Sequence, residues 1–350
     1  MKSLFYSLLL CLTTFCASGY EFMIFSDLHY THQKHYENFD IHGDAVKKHW
    51  LKRQTVWEKY VAADFLPDAA ARFPKTQFVF QLGDLVDGSY GTSERHAEAM
   101  NTALDEIKRN FPGKRIYSVI GNHDTWGKGF REALEQVIGK ERNSWFLYDG
   151  DLFILSDSNP MQIDFVRKAL NSNPDARHVF FFSHHPILPA GTDHEVRNVV
   201  FAGQPELRQE MLDLLCKRNA IFICGHLHNN SVVNYVSPDG KGSFTQVMIS
   251  STLPGERINF TSVIQPLQIE EFAADQSLQN MYLRFPGSDA IVKPMFETMN
   301  NLMFIHPFCG YGLIQVYPNN GVVVLKIGLW IKNKEIVTIQ LRPPTPRKTN

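Results

Sequence analysis

Five hydrophobic runs in this chain break at their C-terminal ends into aspartate, asparagine or histidine. They are Met23-Ile24-Phe25-Ser26-Asp27-Leu28-His29, Phe78-Val79-Phe80-Gln81-Leu82-Gly83-Asp84, Tyr117-Ser118-Val119-Ile120-Gly121-Asn122-His123-Asp124, Val179-Phe180-Phe181-Phe182-Ser183-His184-His185-Pro186 and Ile221-Phe222-Ile223-Cys224-Gly225-His226-Leu227-His228. Each run reads as a buried strand that stops abruptly in a loop. A carboxylate at the mouth of a buried strand costs free energy unless something positive neutralises it. Seven candidate donors follow: Asp27, His29, Asp84, Asn122, His184, His226 and His228. Their mixed oxygen and nitrogen atoms suit Mn, Fe or Zn and disfavour calcium, which prefers oxygen alone. Seven donors exceed the needs of one tetrahedral ion. They suit two divalent metal ions sharing a carboxylate, with positions left open for water and substrate, and Asp84 is the natural centre. Asp-x-His and His-x-His place alternate side chains on one side of an extended segment, so both can reach one ion pair.

The elements that must position these residues alternate strand and helix from residue 21 to 225, which predicts an α/β core with helices covering a sheet. Val46, Trp50, Trp57, Val61 and Phe65 recur at helical spacing within a helical insert at about 30–74, with Pro67 near the helix end. The insert opens with Tyr30, His32, His35, Tyr36 and His42, read as loop residues, with Tyr30 and His32 closest to the first donor run. Ala97, Met100, Leu104 and Ile107 predict a second helix, and residues 129–139 a third. Asp149-Gly150 marks a hairpin between strands near Trp145–Tyr148 and Leu152–Leu155. Helices at 161–170 and 205–218 bracket a strand at 176–183, and a strand at 220–224 closes the pattern. From about residue 231 the pattern turns to pure β, with strands at 232–236, 244–249, 312–317, 322–326 and 336–341, read as a second sheet packed on the first. Residues 256–300 carry no clear pattern and suggest a lid or accessory segment, and 342–350 reads as a flexible tail.

The remaining bounds come from composition. With 350 residues, 44% hydrophobic and 20% charged, the chain is globular, and its net charge of -1 gives no sign of an obligatory nucleic-acid partner. Lys2, the apolar run from Leu4 to Phe15 and Ala17-Ser18-Gly19 predict a signal peptide over residues 1–19, and hence a secreted or periplasmic protein without a membrane span in its mature part. Of five cysteines, Cys216, Cys224 and Cys309 remain after that leader, too few for a disulfide scaffold. Asn229-Asn230-Ser231 and Asn259-Phe260-Thr261 match the glycosylation pattern.

Taken in order, Asp27-Leu28-His29, Gly83-Asp84-Leu85-Val86-Asp87, Gly121-Asn122-His123-Asp124, His184 and Gly225-His226-Leu227-His228 resemble the motif set of the calcineurin-like metallophosphoesterases over about residues 21–230. The resemblance implies a four-layer α/β/β/α sandwich of two mixed β-sheets flanked by helices, occupying residues 20–341. It implies a hydrolase acting on a small phosphate-ester substrate. Asp27, His29, Asp84 and His228 would hold one metal, and Asp84, Asn122, His184 and His226 the other. Between the adjacent histidines, the family's His-x-Pro spacing selects His184, leaving His185 and Asp87 as supporting residues. His123 would face the phosphate and stabilise charge or protonate the leaving oxygen, with Asp124 orienting it. Two cations a few Å apart would lower the pKa of a shared water until hydroxide attacks phosphorus in line. His29 is present, and Tyr90 is displaced from where purple acid phosphatases carry a metal-binding tyrosine. The chain is thereby more similar to the phosphodiesterase branch, with a phosphomonoesterase of nucleotidase type and an inactive scaffold as the alternatives.

Overall fold

The computed structural model describes residues 19–36, 42–188, 199–249, 302–306, 309–329 and 336–342. The expected leader apart from Gly19, the 256–300 segment, the Asn259 sequon and the tail beyond Arg342 lie outside the described residues. Strand β1 (Tyr20–Phe25) is followed by α1 (Asp44–Val56), a wider π-type stretch over Trp57–Phe65 and α2 (Leu66–Arg72). Then come β2 (Phe78–Gln81), α3 (Ser93–Asn110), β3 (Arg115–Ser118), α4 (Phe130–Val137), the hairpin β4 (Ser144–Tyr148) and β5 (Asp151–Leu155), α5 (Ile163–Ser172) and β6 (Val179–Phe182). The chain continues with α6 (Pro205–Lys217), β7 (Ile221–Cys224), β8 (Asn230–Val236), β9 (Ser243–Met248), β10 (Leu302–His306), β11 (Gly310–Tyr317), β12 (Val322–Leu329) and β13 (Ile336–Arg342).

Two mixed sheets result, ordered β13-β12-β11-β1-β2-β3 and β10-β8-β9-β7-β6-β5-β4. The C-terminal strands therefore do not make a sheet of their own. β8, β9 and β10 extend the sheet of β7, while β11 pairs antiparallel with β1. Alternation tells which face of a strand is buried but not which edge it joins, so the pattern could not fix this pairing. β10 went unforeseen, since it lies just beyond the segment without a readable pattern.

Three apolar layers hold the sandwich together. Phe22, Phe80, Phe153, Phe180 and Phe182 fill the space between the sheets, with the Phe80 and Phe182 rings stacked at 3.8 Å. The insert helices, α3 and α4 cover the outer face of the β1 sheet, and α5 and α6 that of the β7 sheet. Pro67 does not end the insert helix. It sits in the first turn of α2, where its missing N–H costs little. Arg342, expected in the tail, instead ends β13, donating to the carbonyls of Asn219 and Ala220 and to Thr245 Oγ1. Cys216 and Cys224 are free and buried, Cys309 is buried, and the Asn229 sequon is fully buried with its amide donating to Leu227 O, which takes it out of reach of glycosylation. Among the described residues no helix is long and apolar enough to cross a membrane.

Candidate metal centre

β1 and β2 run parallel, as do β5, β6 and β7, so within each sheet these strands deliver their loops to one edge. The loops after β1 and β2 ladder together through Asp27 N to Gly83 O and His29 N to Asp84 O, at 3.1 and 2.9 Å. Across the sheets, His226 N donates to Asp27 Oδ2 at 3.0 Å. Asp27, His29, Asp84, His226 and His228 all have positive φ, between 46° and 75°. That conformation costs a non-glycine residue on the order of 1–3 kcal/mol, and it turns each side chain off the strand toward one point. Close packing needs glycine beside them. A Cβ on Gly121 would lie on Asp84 N and Oδ1 and 2.9 Å from Asp84 Cγ, and one on Gly83 would lie 2.8 Å from His184 Nδ1.

The donor atoms form two groups that share Asp84. In the first, His228 Nε2 is 3.3 Å from Asp27 Oδ1 and 3.2 Å from His29 Nε2. In the second, His184 Nε2 is 3.0 Å from Asn122 Oδ1 and 3.2 Å from His226 Nδ1. Asp84 Oδ2 lies between them, 3.7 Å from His29 Nε2 and 3.4 Å from His184 Nε2. All seven sequence-predicted donors thus converge in two clusters. His184 Nδ1 donates to Leu82 O at 2.9 Å, which fixes the tautomer and leaves Nε2 as the ligand atom. His185 also brings a ligand atom within reach of those of His184 and His226, but its Nδ1 meets Ser158 Oγ at 2.8 Å, and its ring is 4.4 Å from that of His226.

Electrostatics match a cation site. Burial pushes Asp84 up, but His184 and then His123 outweigh it and hold the carboxyl well below the usual range. Burial likewise raises Asp27, and its hydrogen bond and charge interaction with His228 bring it down overall. Burial, then Arg53 and His123, lowers His29 to about 3, and burial, then His184, lowers His226 to about 3, so both stay neutral, the form that ligates a metal. His184 is the exception. Burial lowers it, but the Asp84 charge raises it to about 9, so a proton supplies the positive charge that a metal would replace. A dinuclear pair therefore fits these residues: Asp27, His29, Asp84 and His228 would hold one ion and Asp84, Asn122, His184 and His226 the other.

His123 stands beside the donors, its backbone N–H donating to Asp84 Oδ1 at 2.8 Å. Its orientation differs from expectation. Asp124 does not touch the imidazole, because its oxygens accept from Gly121 N and Val86 N at 2.8 and 3.1 Å and so tie two ligand loops together. Burial, then the Asp84 charge, raises Asp124 to about 7. His123 Nδ1 is instead 3.0 Å from Asp87 O and 3.5 Å from Asp87 Oδ1. Asp87 is nearly buried. Burial raises it, but the His29 hydrogen bond and Arg53 prevail and set it at about 2. Arg53 was absent from the sequence reading, and neither Tyr36, read there as a loop residue, nor Trp126 was tied to the donors. Arg53 Nη1 reaches Asp87 Oδ1 at 2.7 Å, Tyr36 OH reaches Oδ2 at 3.2 Å, and the exposed Trp126 ring packs 3.7 Å from that of His123. A helical phase inside an insert carries no such information. Tyr90 is turned away from the donors and donates to Tyr30 O at 2.7 Å.

The model of the calcineurin-like phosphoesterase family matches residues 20–230, more than half of the chain. Three solved structures share the fold. GAP50, the anchor in the inner membrane complex of Plasmodium, is 14% identical with TM-score 0.53, covering 94% of this chain and 90% of that one. Purple acid phosphatase PPD1 from yellow lupin is 12% identical with TM-score 0.56, covering 92% of this chain but 54% of its own. A dimetal phosphatase from Danio rerio is 15% identical with TM-score 0.50, covering 92% and 99%. No curated protein sequence matches the chain. The ordered motifs, the two mixed sheets and the family match lead to one assignment: the chain belongs to the calcineurin-like phosphoesterases, hydrolases of phosphoester bonds.

Proposed function

We propose that this chain is an exported, metal-dependent phosphodiesterase acting on a small phosphate ester. The observation that carries the reading is Asp84 Oδ2 set between two donor groups, with His123 beside them. Two bound cations supply Lewis acidity toward the phosphoryl oxygens and acidify the attacking water. The chain's own residues do the rest. His123, its Nδ1 facing the Asp87 carbonyl, turns Nε2 toward the phosphate, where it steadies charge or gives a proton to the leaving oxygen. Trp126 packs on that imidazole at the rim. Beside His185, a cavity of about 620 Å³ bordered by Ser158, Val200 and Phe201 offers room for the organic part of a substrate.

The preference for a diester rests on Tyr90 being held against Tyr30 O instead of joining the donors, which removes the ligand that sets purple acid phosphatases apart. Export rests on the leader read in residues 1–19. Chelated protein refilled with Mn, Zn or Fe is assayed on bis-p-nitrophenyl phosphate and p-nitrophenyl phosphate. Faster turnover of the diester supports the proposal, and faster turnover of the monoester replaces it with a phosphomonoesterase. N-terminal sequencing of the extracellular or periplasmic fraction tests export, with retention of residues 1–19 in cytoplasmic protein as the refuting result.

A further inference from the structure

His185 stands between the metal centre and the neighbouring cavity. It lines the cavity, and its ring centroid is 4.9 Å from that of His184 and 4.4 Å from that of His226. Both walls of the cavity are tied to loops that carry donors. On one side Ser158 Oγ meets His185 Nδ1, and Asn159 Nδ2 donates to Ile120 O at 3.0 Å, two residues before Asn122. On the other, Val200 N donates to Pro186 O at 2.8 Å, two residues after His184. A group seated here is therefore held in register with the donors. The walls themselves are apolar, formed by Met161, Ile163, Val200, Phe201 and Leu207. Phe201 has φ of 58°, a conformation unfavourable for a bulky side chain, and its carbonyl accepts from Gln204 N at 3.0 Å. Strain of this kind persists where the surroundings over-determine it, and it gathers at ligand clamps. Little polar readout is left over. Ser158 Oγ is engaged by His185, and Asn159 Nδ2 by Ile120 O and Asp157 Oδ1. A nucleobase placed here would meet these committed groups and, at the exposed rim, Gln204, so its donors and acceptors would go poorly matched.

We propose that this cavity seats an unbranched alkyl or acyl chain, so that the substrate class is a phosphate ester carrying one such chain. The proposal rests on the phosphoesterase reading, which puts the phosphate at the donors. With the phosphate there, the chain passes His185 and runs between the walls. A chain needs no hydrogen-bond partner, gains from every methylene removed from water, and can turn at each bond to follow the bend past the imidazole. Ile163 opens α5 and Leu207 lies in the first turn of α6, so the two helices that cover the β7 sheet each contribute a specificity-determining side chain. Short or strongly polar esters gain nothing from these walls.

The test reads binding, so it does not wait on turnover. Unbranched alkylphosphonates from methyl to hexyl are titrated calorimetrically into the Zn-refilled full chain, as wild type, Ile163→Asn, Leu207→Asn and Leu207→Met. Metal content and thermal unfolding are measured first. In wild type each added methylene is expected to tighten binding by about 2–4-fold, the upper figure corresponding to complete removal from water. Both asparagine variants alter partly exposed wall positions and are expected to cut that gain to less than about 2-fold with bound metal unchanged, while Leu207→Met, still apolar, keeps it. A wild-type gain below about 2-fold per methylene, or no binding of any phosphonate, overturns the proposal whatever the variants do. The full gain persisting in both asparagine variants overturns it as well, because the chain then lies elsewhere. Turnover of bis-p-nitrophenyl phosphate is measured on the same preparations. The chain-length trend without turnover counts against the phosphoesterase reading alone, and turnover with a flat series counts against the alkyl-chain proposal alone.

Discussion

Gly121→Ala isolates the tolerance of the metal centre in a single methyl group. Gly121 has no positive φ, so alanine fits its backbone, and the effect is purely steric. The new Cβ would lie on Asp84 N and Oδ1 and 2.9 Å from Asp84 Cγ, against the roughly 3.5–4.0 Å of a comfortable carbon contact. Relief requires the Asp84 backbone nitrogen and its carboxylate both to move by about 1 Å or more, and that carboxylate is the one both donor groups share. Misplacing a catalytic group by about 1 Å costs on the order of 10²-fold in rate. Overpacking a buried position costs about 1–3 kcal/mol of stability. Gly43→Ala serves as the control, because nothing lies within 4 Å of its added Cβ. The assay pairs kcat of metal-refilled protein with metal affinity by isothermal titration and with urea unfolding of the chelated protein. Gly121→Ala should lose about two decades of kcat and weaken metal binding, while Gly43→Ala matches wild type. Wild-type rate and affinity in Gly121→Ala would show that Asp84 is not held where the structure has it.

Three further outcomes follow from the same geometry. Asp84→Asn keeps the side-chain shape but removes the shared charge, so elemental analysis should find fewer than two ions per chain and the rate should fall by more than the 10–100-fold typical of supporting partners. His184→Ala should release metal, whereas His185→Ala, tied to Ser158, should keep both ions and change substrate affinity instead; metal loss in His185→Ala would make it a ligand. Acid should destabilise the chelated protein in part through His35 and His96, which lie away from the donors. Both are fully buried and lowered from 6.5 to about 4, each chiefly by burial. The unfolded chain then binds protons first, so the stability these histidines leave intact above pH 6.5 is lost as pH falls toward 4. The loss is at most about 1.4 kcal/mol per pH unit for each group. His96→Phe should flatten the slope of urea stability against pH in that window, and an unchanged slope would refute the assignment.

Much of the donor set was legible because hydrophobic runs ending in Asp, Asn or His couple a strand signal to a ligand signal. Asp27, Asp84, His184 and His226 each sit where a parallel strand stops, so one-dimensional order maps onto one edge of a sheet. Contacts across the sequence were not legible. The assignment of Asp124 as the partner of His123 came from the family resemblance, yet a tight turn aims Asp124 into the Gly121 and Val86 backbone. Arg53 reaches Asp87 through the phase and angle of an inserted helix, which no local pattern encodes. The allotment of β8–β13 to two sheets depends on edge choice, to which period-two alternation is blind.

The central claim, two ions shared across Asp84, is tested most directly by titrating fully chelated protein with Mn while following phosphodiester turnover. The account predicts that activity stays low through the first equivalent and reaches its plateau at two equivalents per chain. Full activity at one equivalent, or turnover in the chelated protein before any metal is added, would contradict it.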